Sequence, residues 1–85
     1  MDFRFSKHAE QEIIRRGIPR EFVEQTLQQP QQVIHSGERK LTYQSKVSFG
    51  GRVFLLRAIV AHDVEPPLVV TVYRTTKIDK YWEEK

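Results

Sequence analysis

Between Leu41 and Val60 two strand-like runs flank Phe49-Gly50-Gly51-Arg52, and this stretch leaves the chain very few ways to fold. A Gly-Gly pair between alternating segments marks a two-residue β-hairpin turn, because both central residues of the favoured turn need positive φ and glycine takes it without strain. The turn sets the register. With Phe49 opposite Arg52, Val47 faces Phe54, Ser45 faces Leu56, Tyr43 faces Ala58 and Leu41 faces Val60, so one face of the hairpin is nearly continuous apolar surface and becomes the core face. The other face carries Lys40, Thr42, Gln44, Lys46 and Ser48 on the first strand and Val53, Leu55, Arg57, Ile59 and Ala61 on the second, with Arg57 directly beside Gln44. A slip of one residue would drive the lysines into the core, so alternation and turn chemistry select the same pairing.

The flanking segments fit around that hairpin. Phe3-Arg4-Phe5 alternates as a short edge strand, and Ser6 is placed to cap a helix from Lys7 to Arg16. On that helix Ala9, Ile13, Gly17 and, at the periphery, Ile14 share one side, while His8, Glu12 and Arg15 line the other. Gly17 ends it. Ile18-Pro19 opens a second helix with Phe22, Val23, Thr26 and Leu27 as its buried stripe, and Pro30 stops it. Val33-Ile34-His35 is a strand leading into a polar turn at Ser36-Gly37-Glu38. After a loop from His62 to Pro67, Leu68 to Tyr73 has the β-branched density of a central strand, apolar on both sides. Thr76 with Asp79 makes a capping-box variant for a short helix whose face is Ile78, Tyr81 and Trp82. Helices first and sequential hairpins after predict an α+β fold, with two N-terminal helices packed on one face of an antiparallel sheet, a short C-terminal helix, and the other sheet face partly open. Whether Tyr73 or Arg74 shares a face with Arg57 is left undecided by the long loop.

Eighty-five residues suffice for one modest core and not for two, so a single domain over residues 1–85 is expected. Without cysteine there are no disulfides and no thiolate metal sites, which fits a reducing cytoplasm. Met1-Asp2-Phe3-Arg4 does not open a signal peptide. The longest apolar run, Val53 to Ala61, is broken by Arg57 and too short to span a bilayer, so a cytoplasmic protein without membrane contact is expected. Fourteen Lys and Arg against eleven Asp and Glu give a formal charge of +3, a mild basic bias that permits nucleic acid as a partner without requiring it.

Two groups of residues have chemical potential. His8 with Glu12 and Arg15 or Arg16 lies along adjacent helix turns, where Glu12 would orient an imidazole and an arginine would bind phosphate; the same spacing also describes the solvated face of an amphipathic helix. The second group is Lys46, Gln44 and Arg57 on the open sheet face, joined by Tyr73 or Arg74. An arginine inside an apolar strand is costly to desolvate unless paired or wet, so it binds an anion, pairs with Glu38, Asp63 or Glu65, or snorkels to the surface. Tyr81 and Trp82 are able to stack on bases, but with Ile78 they also complete a packing stripe. His35 and His62 show no ligand spacing to His8, and no metal or other cofactor is expected. Neither a glycine-rich phosphate loop nor a nucleophile elbow is present.

Phe5-Ser6-Lys7-His8-Ala9, Arg16-Gly17-Ile18, Leu27 to Pro30 and Val70-Thr71-Val72-Tyr73 together resemble a small domain-of-unknown-function family placed in the RelE/ParE-like toxin superfamily. The resemblance spans nearly the whole length as scattered short motifs. It implies a RelE-like fold and membership in bacterial toxin–antitoxin pairs, whose toxins often cut ribosome-bound mRNA without a metal and are held by a cognate antitoxin protein. By that resemblance His8 and Arg16 match motif positions and Tyr73 sits in the terminal strand, while Glu12 stands where the family commonly carries arginine. The expected activity is therefore a toxin-like endoribonuclease in which the 2′-hydroxyl of the substrate attacks the adjacent phosphate. His8 would transfer a proton, Arg16 and Arg57 would stabilise charge, Tyr73 would transfer a proton or stack, and Arg15, Gln44, Lys46 and Arg74 would hold the RNA. The alternative is a non-catalytic partner-binding or regulatory protein of the same fold, favoured by Val53, Leu55 and Ile59 on the uncovered face.

Overall fold

The computed structural model describes residues 2–84. Its elements are β1 (Arg4–Phe5), α1 (Lys7–Arg15), α2 (Arg20–Gln28), β2 (Gln32–His35), β3 (Lys40–Phe49), β4 (Arg52–Ala61), β5 (Leu68–Thr75) and α3 (Ile78–Tyr81). They make an α+β fold on a five-stranded sheet of order β1-β5-β4-β3-β2. The sheet is mixed, which corrects the all-antiparallel expectation: β1 runs parallel to β5, with Arg4 opposite Leu68 and Phe5 opposite Val69. A parallel pair needs a long connection, and the two helices and three strands between β1 and β5 supply it.

At the hairpin of β3 and β4 the pairing is the one that the turn dictates, from Phe49 opposite Arg52 to Leu41 opposite Val60. Gly50 and Gly51 take φ of 61° and 76°, the left-handed values that a tight turn of this hand needs. Beyond it, β5 pairs with β4 so that Arg57 faces Tyr73, and a register shift between Ile59 and Val60 separates that pairing from Val60 opposite Val69. Tyr73 therefore shares the Arg57 face, and Arg74 does not.

Helix α1 is tied at both ends by its own sequence. The Ser6 hydroxyl accepts from the Ala9 amide at 3.0 Å and donates to the Val70 carbonyl at 3.2 Å, so a single side chain caps the helix and fastens it to β5. At the other end the amides of Gly17 and Ile18 donate to the carbonyls of Ile14 and Ile13, with Gly17 at φ 62°, a Schellman closure. Its accompanying apolar contact is present too: Ile13 and Ile18 are both buried. Ile14 is 81% exposed, contrary to the peripheral core position expected, because so short a helix turns only the Ala9–Ile13 stripe to the sheet. For α2, Pro19 occupies the N-cap position, and Val23, Thr26 and Leu27 are buried.

Ala9, Ile13, Ile18, Val23 and Leu27 share one core cluster with Tyr43, Leu56, Ala58, Val60, Val69 and Val72. The buried Tyr43 hydroxyl meets His62 Nε2 at 3.0 Å, and burial raises its pKa above the ordinary phenol value. On the opposite side of the sheet Thr42, Gln44, Leu55 and Arg57 are also buried, so that side is not open as expected. The segment from α3 to Glu83 lies over it. The Thr76–Asp79 capping box does not form: Lys77 is the N-cap residue without a side-chain cap, and its amide donates to the Thr75 hydroxyl at 3.0 Å.

Candidate functional site

A polar row crosses four strands on the side of the sheet away from the core helices. Gln32 stands opposite Gln44, Gln44 opposite Arg57, and Arg57 opposite Tyr73. Side chains directly opposite in adjacent strands are within reach of one another, and these link up. Gln44 Nε2 donates to Gln32 Oε1 at 2.7 Å, Arg57 Nε donates to Gln44 Oε1 at 2.9 Å, and Arg57 Nη1 donates to the Tyr73 hydroxyl at 2.6 Å.

Arg57 is the centre of the row and its chemical anomaly. The residue is 8% exposed, yet its hydrogen-bond partners are a neutral amide and a phenol. Among the described residues it makes no ion pair, so the expected pairing with Glu38, Asp63 or Glu65 is absent. Glycine turn and strand register force this side chain inward beside Gln44, and no carboxylate falls on the same face of the neighbouring positions. The guanidinium is instead covered by an aromatic ring, its Cζ lying 4.1 Å from the Tyr81 centroid. Lys46, two residues along β3 from Gln44, has its ammonium 4.1 Å from the Trp82 ring in the same manner.

Tyr81 and Trp82 thus cover the cations of this face and do not belong to the apolar core cluster, as a packing stripe would have required. The Tyr81 hydroxyl has its pKa drawn below the ordinary phenol value, first by hydrogen bonding to Tyr73, then by the nearby charges of Lys80 and Arg57. Sequence reasoning weighed Tyr81 only for base stacking or core packing and missed Gln32, so it placed neither in the Arg57 row. The signal for Gln32 was available in principle, since extending the register of β3 through the Ser36–Arg39 turn places it opposite Gln44.

Of the sequence-selected residues, Gln44, Arg57 and Tyr73 are brought together, with Lys46 adjacent. His8 is exposed on α1, and its side chain makes no hydrogen bond or ion pair among the described residues. It belongs to the helix layer, whereas Arg57 alternates with core residues Leu56 and Ala58 and points the other way. Glu12 does not orient His8. Its carboxylate accepts from Arg15 Nε and Nη2 at 2.9 and 2.8 Å and from Arg16 Nε at 2.7 Å. Those two guanidinium groups hold its pKa at about 2, against 4.5 for a free side chain. Arg74 sits on the helix side of the sheet with its guanidinium 4.9 and 4.8 Å from the rings of Phe49 and Phe54.

Chemically the row offers a guanidinium whose Nε and Nη1 donate to neutral groups, with no carboxylate partner, and a phenol hydrogen-bonded to it, the groups that an oxyanion would meet if the aromatic cover moved. Among the described residues no group of three His, Cys, Asp or Glu is placed to bind a metal ion, and no helix is long and apolar enough to cross a membrane. Comparison with curated proteins and with solved structures gives no match in either case. A family model does match, over residues 5–74, a span that takes in both core helices and nearly all of the sheet: the chain belongs to the family described as Domain of unknown function (DUF4258).

Proposed function

We propose that this domain contacts the phosphate backbone of RNA through the Gln44–Arg57–Tyr73 row with Lys46 beside it, as the toxin-like component of a bacterial toxin–antitoxin pair with a RelE/ParE-like arrangement. The observation that carries the reading is the buried guanidinium of Arg57, hydrogen-bonded to Gln44 and Tyr73 with no carboxylate to neutralise it. Holding an uncompensated cation in a desolvated place is costly, and an oxyanion ligand is the partner that offsets the cost. The basic balance of the chain agrees with a polyanionic partner.

The reaction we assign is metal-independent cleavage of mRNA. O2′ attacks the adjacent phosphorus and the P–O5′ bond breaks, leaving a 2′,3′-cyclic phosphate and a 5′-hydroxyl; one proton leaves O2′ and one arrives at O5′. Arg57 stabilises the charge of the phosphorane, and the Tyr73 phenol, which accepts a hydrogen bond from Arg57 Nη1, is the proton-transfer candidate on this face. His8 and Arg16, on the helix layer, stand outside that centre. The reading is tested by RNA binding and cleavage as salt is varied. Arg57→Ala should weaken binding and flatten the log–log salt slope by roughly 0.7 for each phosphate that is no longer neutralised, while His8→Ala behaves as the parent. Arg57→Lys keeps the charge and guards against a folding defect. Parent-like RNA cleavage by Arg57→Ala, or its loss in His8→Ala alone, would overturn the assignment.

A second reading, a non-catalytic protein that binds a partner chain such as a cognate antitoxin, is favoured by Val53, 52% exposed on the same face, and by the unpaired outer edge of β2. Salt-insensitive binding of a protein segment without nuclease activity would select it.

A further inference from the structure

We infer that the segment from Ile78 to Glu83 is an autoinhibitory strap: it occupies the RNA-contacting face and must lift before a phosphate reaches Arg57. The inference rests on the reading of that face as the RNA site and concerns its regulation.

The strap sits where the ligand would sit. Tyr81 lies over the Arg57 guanidinium and Trp82 over the Lys46 ammonium, each at 4.1 Å, so the two cations of the face meet the negative π surfaces of two rings. A ring face is a weak substitute for an oxyanion and one that a phosphate can displace. The polar row meanwhile grips the strap by its backbone. Gln32 Nε2 donates to the Glu83 carbonyl at 2.7 Å and its Oε1 accepts from the Glu83 amide at 3.1 Å, while Gln44 Nε2 donates to the Tyr81 carbonyl at 3.2 Å. Gln44 therefore binds both the strap and the Arg57 guanidinium, so strap and cation share a hinge of hydrogen bonds.

The same segment is lightly held otherwise. Helix α3 is one turn long, has no side-chain N-cap and no buried residue. None of its apolar side chains belongs to the core cluster, which closes on the opposite side of the sheet without it. Local opening draws on elements with few buried apolar contacts, and α3 is of that kind. Lifting it would uncover Arg57, Gln44 and Lys46 together and leave the sheet and the two core helices in place.

Trp82 is the chain's single tryptophan, so its fluorescence reports the strap alone. The test uses the full chain and its Gln32→Ala variant, which removes both bonds to Glu83 together with the bond from Gln44 Nε2, and leaves the Gln44–Arg57 and Arg57–Tyr73 bonds in place. Acrylamide quenching of Trp82 is measured with and without a 2′-O-methyl oligoribonucleotide, which binds but cannot be cleaved. Gln32→Ala should leave Trp82 more accessible in the free protein and bind the oligonucleotide more tightly, on the order of tenfold for a site closed nine-tenths of the time. In the parent, adding the oligonucleotide should raise Trp82 accessibility. Equal affinity in both proteins, with Trp82 equally shielded free and bound, overturns the strap and leaves the RNA reading standing. A freed Trp82 in Gln32→Ala with no RNA bound by either protein overturns the RNA reading and, with it, gating of RNA.

Discussion

Two charged side chains, Glu12 and Arg57, lie mostly out of water, one paired with opposite charge and the other not. Glu12 is neutralised by Arg15 and Arg16 on its own helix. Its folded pKa, about 2, lies below the ordinary 4.5, so its stabilising contribution is complete above about pH 4.5 and is lost as the pH falls through 2. Glu12→Gln should therefore unfold with a midpoint that varies less than the parent's across this acid range, as read by urea denaturation at successive pH values. The i, i+4 spacing of His8 and Glu12 was legible in the sequence, but the winner of the competition for that carboxylate was not. Glu placed before Arg at three and four residues favours the arginines, and a forked guanidinium holds a carboxylate in two bonds where an imidazole offers one. Arg57, by contrast, has only neutral partners, and its burial depends on an aromatic cover supplied from 24 residues further along the chain. Spacing within β4 carries no trace of that cover.

At the level of elements, the hairpin shows what local chemistry decides unaided. Its register was readable because Gly50 and Gly51 admit one turn and a slip would bury lysine. A Cβ added at either glycine meets no atom within 4 Å, so substitution there strains the backbone alone. Gly51→Ala should cost about 1 kcal/mol in equilibrium unfolding, whereas Gly50→Asn should cost much less, since asparagine tolerates the left-handed region. The pairing of β5 was not readable: six residues of loop precede it, and the shift between Ile59 and Val60 changes which face its later side chains take. That shift determines that Tyr73 rather than Arg74 meets Arg57. The parallel pairing of β1 was equally hidden, since a two-residue strand carries no sign of its partner. Nor did residue type reveal the start of α3, where the Thr75 hydroxyl receives the Lys77 amide in place of a Thr76 cap.

Across the whole molecule the sheet is a partition. On one side lie α1, α2 and the apolar core; on the other lie the polar row and the strap above it. His8 with Arg16 and Arg57 with Tyr73, read from the sequence as one constellation, are divided by that partition, because alternation along β4 sends Arg57 away from the face that Leu56 and Ala58 give to the helices. The central claim, that a buried and carboxylate-free Arg57 marks the RNA-contacting face, is tested most directly by nitrogen-15 chemical-shift mapping with the non-cleavable oligoribonucleotide. The largest shifts are predicted at the Arg57 Nε–H, Gln44, Tyr73 and residues 78–83, with Lys7 to Arg16 unmoved. Shifts gathered on His8, Arg15 and Arg16 with the Arg57 signal unchanged would contradict it.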